Sequence, residues 1–282
     1  MLAWQSVRFD TPTAMATAGS SLRVRPAAVS GLFYPGDPRE LEECVRTLLR
    51  GESEPRARPK ALIAPHAGYV YSGPTAAAAF RLIAPAAGLI RRVVLIGPSH
   101  RVPFRGLAVP SVEAFATPLG RIPLDALARE ALLDLGHVRI TDSPHAAEHS
   151  LEVELPFLQV TLGEFELLPI AAGDATAREV ADALERVWGG PETLIVVSTD
   201  LSHYHAYEYA RRLDAATNEA VLRLESEFDG ERACGCIGLN GLLAAARKRR
   251  MRIELEDLRN SGDTAGDRGR VVGYGAWSLY DV

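Results

Sequence analysis

Three apolar runs in this chain follow one plan, an unbroken hydrophobic stretch and then an abrupt polar turn that carries a histidine. Ala61-Leu62-Ile63-Ala64 runs into Pro65-His66, and Val93-Val94-Leu95-Ile96 into Gly97-Pro98-Ser99-His100. Leu194-Ile195-Val196-Val197 runs into Ser198-Thr199-Asp200-Leu201-Ser202-His203. A strand with no polar face is one covered on both sides, as in the interior of a parallel sheet. Ligands of open α/β sheets sit outside the carboxyl ends of such strands. Three strands ending in His66, His100 and His203 therefore predict one shared site at one sheet edge.

Helical patterns fill the intervals. Asp37-Pro38-Arg39-Glu40 has an N-cap acid, proline at the first helical position and a glutamate in the first turn. Leu41, Cys44, Val45, Leu48 and Leu49 then form one buried stripe, which makes Cys44 a core residue. Further helices are predicted over 73–82, opened by Pro74, and over 124–135. One from Glu148 towards Leu162 would put His149 and Glu152 on one face, where a His–Glu pair could simply hold two elements together. Another is opened by the capping box Thr176–Glu179 and runs to Trp188. The last two cover 207–224 and 238–249, and shorter strands are predicted at 107–109, 120–122, 167–170 and 271–279. Strands alternating with helices at this spacing predict a three-layer α/β/α domain.

Composition narrows the class. With 47% hydrophobic and 24% charged residues in 282, the chain is an ordinary globular one. No long linker interrupts it, so one domain over 23–282 is expected after a loosely ordered extension over 1–22, with Met15 an alternative start. A net charge of −5 gives no electrostatic reason to expect nucleic acid. The basic run Arg247 to Arg252 reads as a helix end meeting its dipole. No apolar run is long enough to span a membrane and no signal-peptide core is visible. Three unevenly placed cysteines make no disulfide framework and suit a reducing cytoplasm, the expected location.

Candidate chemistry gathers at the strand ends. Neutral imidazole is the commonest protein metal ligand, and three at one edge suit a metal better than a structural role. Asp200, three residues before His203, either orients that imidazole or caps the next helix. Ser198 or Ser202 with His203 and Asp200 imitates a triad only distantly, because triads rarely draw every member from one turn. His137, His145 and His205 read as structural or exposed. Cys234, in Cys234-Gly235-Cys236, reads from its own context as a packing cysteine, since C-x-C alone is no zinc signature.

Seven segments occur together in a fixed order: RPAAVSGLFYP, APHAGYVYSG, GPSH, EHSLEVELPFLQ, STDLSHY, the Cys-Gly at 234–235 and SGDTAGDRGRVVGY. In this the chain resembles the Memo family over about residues 24–280. The resemblance implies a single α/β/α domain similar to the LigB-type extradiol dioxygenases (phosphorylase/hydrolase-like), with a mostly parallel or mixed central sheet. It implies His66, His100 and Cys234 as metal ligands, His203 with Asp200 as an acid/base pair, and His149 in the same cleft. Fe(II) is the metal it implies first, with Zn or Cu as alternatives. After Cys-Gly, relatives commonly run through a turn ending in proline, whereas Cys236-Ile237-Gly238 stands here and offers a competing thiol. The expected function is a redox or O2-linked oxidoreductase on an unidentified substrate. The alternatives are a non-catalytic peptide- or protein-binding member with a vestigial site, and a metal-assisted hydrolase. The resemblance also implies AMMECR1-type and radical SAM proteins as partners, beside a small-molecule or peptide ligand in the cleft.

Overall fold

The computed structural model describes residues 22–51 and 57–282. The expected extension over 1–22, Met15 included, lies outside these residues apart from Leu22. In chain order the elements begin with β1 (Val24–Arg25), α1 (Pro38–Leu48), β2 (Ala61–Ala64), α2 (Tyr69–Phe80) and β3 (Arg92–Pro98). Next come β4 (Leu107–Val109), β5 (Ala114–Thr117), β6 (Gly120–Pro123), α3 (Ala126–Leu133), β7 (Val138–Ile140) and α4 (Ser143–Ala146). Then follow α5 (Leu155–Leu162), β8 (Glu166–Ala172), α6 (Ala177–Arg186), β9 (Thr193–Ser198) and β10 (His203–His205). The chain closes with α7 (Tyr207–Leu222), α8 (Cys236–Lys248), β11 (Arg252–Asn260) and β12 (Val271–Tyr280).

The main sheet runs β10-β12-β2-β9-β3-β8-β4-β7, with β11 paired to β12. Its centre, β2-β9-β3-β8, is parallel, and β12 and β4 flank it antiparallel. A small second sheet joins β1, β5 and β6.

Alternation within the central strands makes the three layers. Ile63, Val94, Ile96, Ile195 and Val197 pack on one side with α6 and α8, through Val180, Leu184, Leu239 and Leu242. Their neighbours Leu62, Val93, Leu95, Leu194 and Val196 pack on the other with α1, α2 and α5, through Leu41, Phe80 and Phe157. Side chains two apart share a face, so a strand apolar at every position feeds two cores at once. The α/β/α architecture is the one the sequence predicts.

Two predicted starts differ. Helix α2 begins at Tyr69, five positions before Pro74, so the proline sits inside it. The early start is supported from outside the helix, where Tyr69 N donates to Phe33 O and Ser72 Oγ to Ala67 O. The predicted helix from Glu148 begins as a turn and a short 3-10 stretch, with α5 regular only from Leu155. The Glu148 carboxylate accepts from the backbone N–H groups of His149 and Ser150, which holds a turn in place of the first helical bonds. The Thr176–Glu179 capping box and the Asp37 N-cap form as predicted.

Candidate metal centre

Strands β2, β9 and β3 are neighbours, so residues following each emerge at one edge of the sheet. His66 leaves the end of β2, His100 the end of β3, and residues 198–203 the end of β9. Ser150, whose Oγ donates to Pro98 O, pins the 148–151 turn against the end of β3 and brings in His149. Gly235 lies so close to the end of β9 that a Cβ there would stand 2.5 Å from Ser198 O. The absent side chain is what lets Cys234 reach the edge.

Three imidazoles meet here. Ring centroids lie 5.2 Å apart for His66 and His100, 5.4 Å for His66 and His149, and 4.8 Å for His100 and His149. One ligand nitrogen from each lies within 4.8 Å of the other two. These histidines are positioned to hold a metal ion. Each Nδ1 is engaged by an oxygen, to Ser198 Oγ at 2.7 Å from His66 and to Glu148 Oε1 at 2.9 Å from His100 and 3.2 Å from His149. Metal-ligating imidazoles are held in this way, one nitrogen by a carboxylate or hydroxyl and the other free for the cation. The donor set fits a metal.

Charge is arranged accordingly. Burial, reinforced by His149 and His100, keeps the His66 imidazole neutral well below its usual range. Burial alone would raise Glu148, but hydrogen bonds from His100, His149 and Ser150 N outweigh it and hold the carboxyl well below the usual range. Glu148 is therefore an anion shared between two rings. Its other oxygen accepts from His100 N at 2.6 Å.

The remaining predicted residues fall around this core. Cys234 Sγ lies 3.4 Å from His66 Nε2 and accepts from Asp200 N at 3.3 Å. Burial and the Asp200 carboxylate raise its thiol far above the ordinary range, so without a cation it is a thiol. Asp200 Oδ1 accepts from His66 N at 2.9 Å and so fixes the end of β2. Burial raises the Asp200 carboxyl, against the pull of nearby His203. His203, half-buried on β10, lines the same cleft as the three clustered histidines, Asp200 and Cys234. Cys236, the first residue of α8, packs in the core and does not line the cleft. His149 and Glu152 do not pair, so the alternative reading of them as a brace between two elements falls. Glu152 instead accepts from Arg25, Tyr34 and the backbone of Ala28 and Val29.

Pattern reading missed Glu148, Glu154 and Tyr274. Glu148 precedes His149 directly, and that adjacency was the available signal. Glu154 bonds to Ser198 from a position that looks like ordinary helix, and Tyr274 sits inside the last strand. The cleft holds about 1140 Å³, walled by Phe33, Tyr71, Tyr204, Arg270 and Tyr274. Tyr204 is held at φ 62°, a left-handed conformation that costs a non-glycine residue of order 1–3 kcal/mol. A groove of about 940 Å³ bounded by Glu42, Arg121 and Phe165 approaches it in size, but among the described residues no histidine or cysteine lines it. Donor chemistry, not volume, selects the site.

A family model described as Memo-like protein matches residues 25–278. A MEMO1 family protein of Aquifex aeolicus is 36% identical over 265 residues, covering 90% of this chain and 98% of the relative. Others from Thermotoga maritima and Nitrosopumilus maritimus are 36% and 32% identical, over 89% and 90% of this chain and 97% and 98% of theirs. The crystal structure of an uncharacterized protein from Escherichia coli K12 superposes with a TM-score of 0.52 at 14% identity, over 78% of this chain and all of that one. That likeness concerns the fold alone.

Proposed function

The chain belongs to the Memo family, and from that premise we propose that its cleft is a metal-dependent redox site acting on a small-molecule or peptide substrate, with Fe(II) the first candidate metal and Zn or Cu the alternatives. The observation that carries this is the imidazole cluster, three rings within ligand reach of one another and each anchored at Nδ1 by an oxygen. His66, His100 and His149 would hold the cation, with the Cys234 thiol as a further donor beside His66. A mixed imidazole–thiol set is softer than two histidines and a carboxylate, and it suits Fe(II), Zn or Cu(I) better than Mg or Ca. Bound there, such a metal supplies open coordination positions and, if redox-active, electron transfer to O2.

The chain's own residues do the rest. Glu148 holds two rings in register while its negative charge offsets part of an incoming cation's charge. His203 faces the same space and is the group suited to take or return a substrate proton. Asp200, anchored on His66 N, holds the β2 turn still while His203 works. A sulfur this close to reactive oxygen is open to oxidation, which argues against ordinary ring cleavage.

The test is direct. Protein purified without oxygen should hold about one Fe, Zn or Cu per chain, and the His66→Ala, His100→Ala double variant none. Equal metal in the two would end the proposal. Oxygen uptake in the presence of catechols or thiols supports the redox reading, while turnover without oxygen would favour metal-assisted hydrolysis.

A second reading, a protein- or peptide-binding site, draws on one feature. Leu32, Val70 and Tyr204, neighbours in sequence of cleft residues or cleft residues themselves, are 81%, 67% and 62% exposed. Exposed apolar groups close to a cleft suit a polypeptide partner, and AMMECR1-type and radical SAM proteins are the partners to try.

A further inference from the structure

Beneath the imidazole cluster the Ser198 anchor of His66 continues into a hydrogen-bond chain that ends on Glu154, a residue given no role above. Ser198 Oγ makes three short contacts, to His66 Nδ1 at 2.7 Å, to Ser150 O at 2.7 Å and to Glu154 Oε1 at 2.8 Å. Both Ser198 and Glu154 are fully buried. The second carboxyl oxygen of Glu154 is buried as well and has no partner among the described residues.

Counting protons fixes the chain. Three hydrogen bonds need three protons, and a serine hydroxyl supplies one while accepting two. Ser150 O is a carbonyl and can only accept, so the Ser198 proton goes to it. The remaining two must come from His66 Nδ1 and from Glu154 Oε1. Any other assignment leaves two oxygens, or an oxygen and a nitrogen, in contact with no hydrogen between them.

We propose that Glu154 is an un-ionised carboxylic acid that donates to Ser198, and that Ser198 and Glu154 together are positioning residues fixing His66 as the Nδ1–H tautomer, its Nε2 lone pair facing the cleft. The surroundings agree. Among the described residues no cation pairs with Glu154, and the ionisable groups facing it are Asp200 beyond the end of β9 and Tyr69 on α2, neither of them positive. Burial and the Asp200 carboxylate both push the Glu154 carboxyl well upward. An unpartnered oxygen costs much less on a neutral acid than on a buried carboxylate. The consequence for a cation rests on the metal-site reading, because only Nε2 would then be free to bind. The protonation and the tautomer do not.

Both are measured on full-length protein stripped of metal. Infrared spectra of protein labelled with ¹³C-glutamate should show, at neutral pH, the carbonyl stretch of one protonated glutamic acid, absent from Glu154→Gln. Long-range ¹H–¹⁵N spectra should assign His66 as Nδ1–H in the native chain and in Glu154→Gln, whose amide keeps a donor towards Ser198. Ser198→Ala should shift His66 towards the other tautomer and weaken Zn²⁺ or Co²⁺ binding about 10–100-fold. The native spectra decide even if a variant misfolds. No acid carbonyl band, or His66 as Nε2–H, would overturn the inference. Both signals present in a protein that binds no metal would uphold it and reject the metal reading instead.

Discussion

Glu152 is fully buried, and removing its carboxylate is the sharpest test of how the site is held. It accepts from Arg25 Nη1 at 2.7 Å, Ala28 N at 2.7 Å, Val29 N at 2.9 Å and Tyr34 Oη at 2.5 Å. Arg25 is 5% exposed, and its other nitrogens donate to His145 O at 2.6 Å and Glu148 O at 2.5 Å. In Glu152→Ala the guanidinium keeps those two carbonyls but loses its counter-charge, which ordinarily costs about 3–5 kcal/mol. Three more donors lose their acceptor at about 1 kcal/mol or more each, which takes the loss past that range, to about 6 kcal/mol or more. A fold with roughly 5–15 kcal/mol in hand survives, but barely. Equilibrium urea unfolding should show the midpoint falling by more than about 1 M at an ordinary slope. A cycle with Arg25→Met should return coupling of about 2 kcal/mol or more, because removing both charges leaves neither one bare. Arg25 also grips the 145–148 backbone next to His149, so metal retention should drop in Glu152→Ala where the chain is still folded. A loss below about 1 kcal/mol with no coupling would refute the reasoning.

Other expectations follow from single groups. His145 is buried with Nε2 on Ala108 O, and burial holds its pKa down at about 4. The unfolded ring titrates near 6.5, so the stability this provides is full above that pH and is lost as pH falls towards 4, at about 1.4 kcal/mol per unit. His145→Gln should flatten that acid limb in pH-dependent denaturation. Cys234→Ser should keep one metal per chain yet lose the sulfur charge-transfer absorption of the Co²⁺ form. Complete metal loss would instead favour His66, His100 and Cys234 as the ligand set. Gly235→Ala, with its Cβ driven against Ser198 O and the Thr199 side chain, should displace Cys234 and weaken metal binding while Gly230→Ala, in open space, does not. Thr176→Ala removes the reciprocal cap of α6 and should cost about 1 kcal/mol by thermal unfolding, with no change at the cleft.

The sequence by itself determined the layers and the edge. Strands apolar at every position can only be central, and a polar turn after such a strand can only leave at the sheet's end. His66 and His100 were legible for that reason, and Thr176 and Asp37 were legible because caps are local chemistry. Strand β11 was not, because the alternation of Arg252-Ile253-Glu254-Leu255 breaks at Glu256-Asp257, where the register with β12 shifts. Tertiary structure alone decided which side chains share protons. Only folding brings Glu148 under both His100 and His149, sends Glu152 to Arg25 in place of His149, and closes Ser198 onto His66 from a strand more than a hundred residues away. Periodicity fixes which face a residue occupies. The hydrogen-bond partners of a buried polar atom are fixed by whichever distant atoms packing leaves within about 3 Å of it.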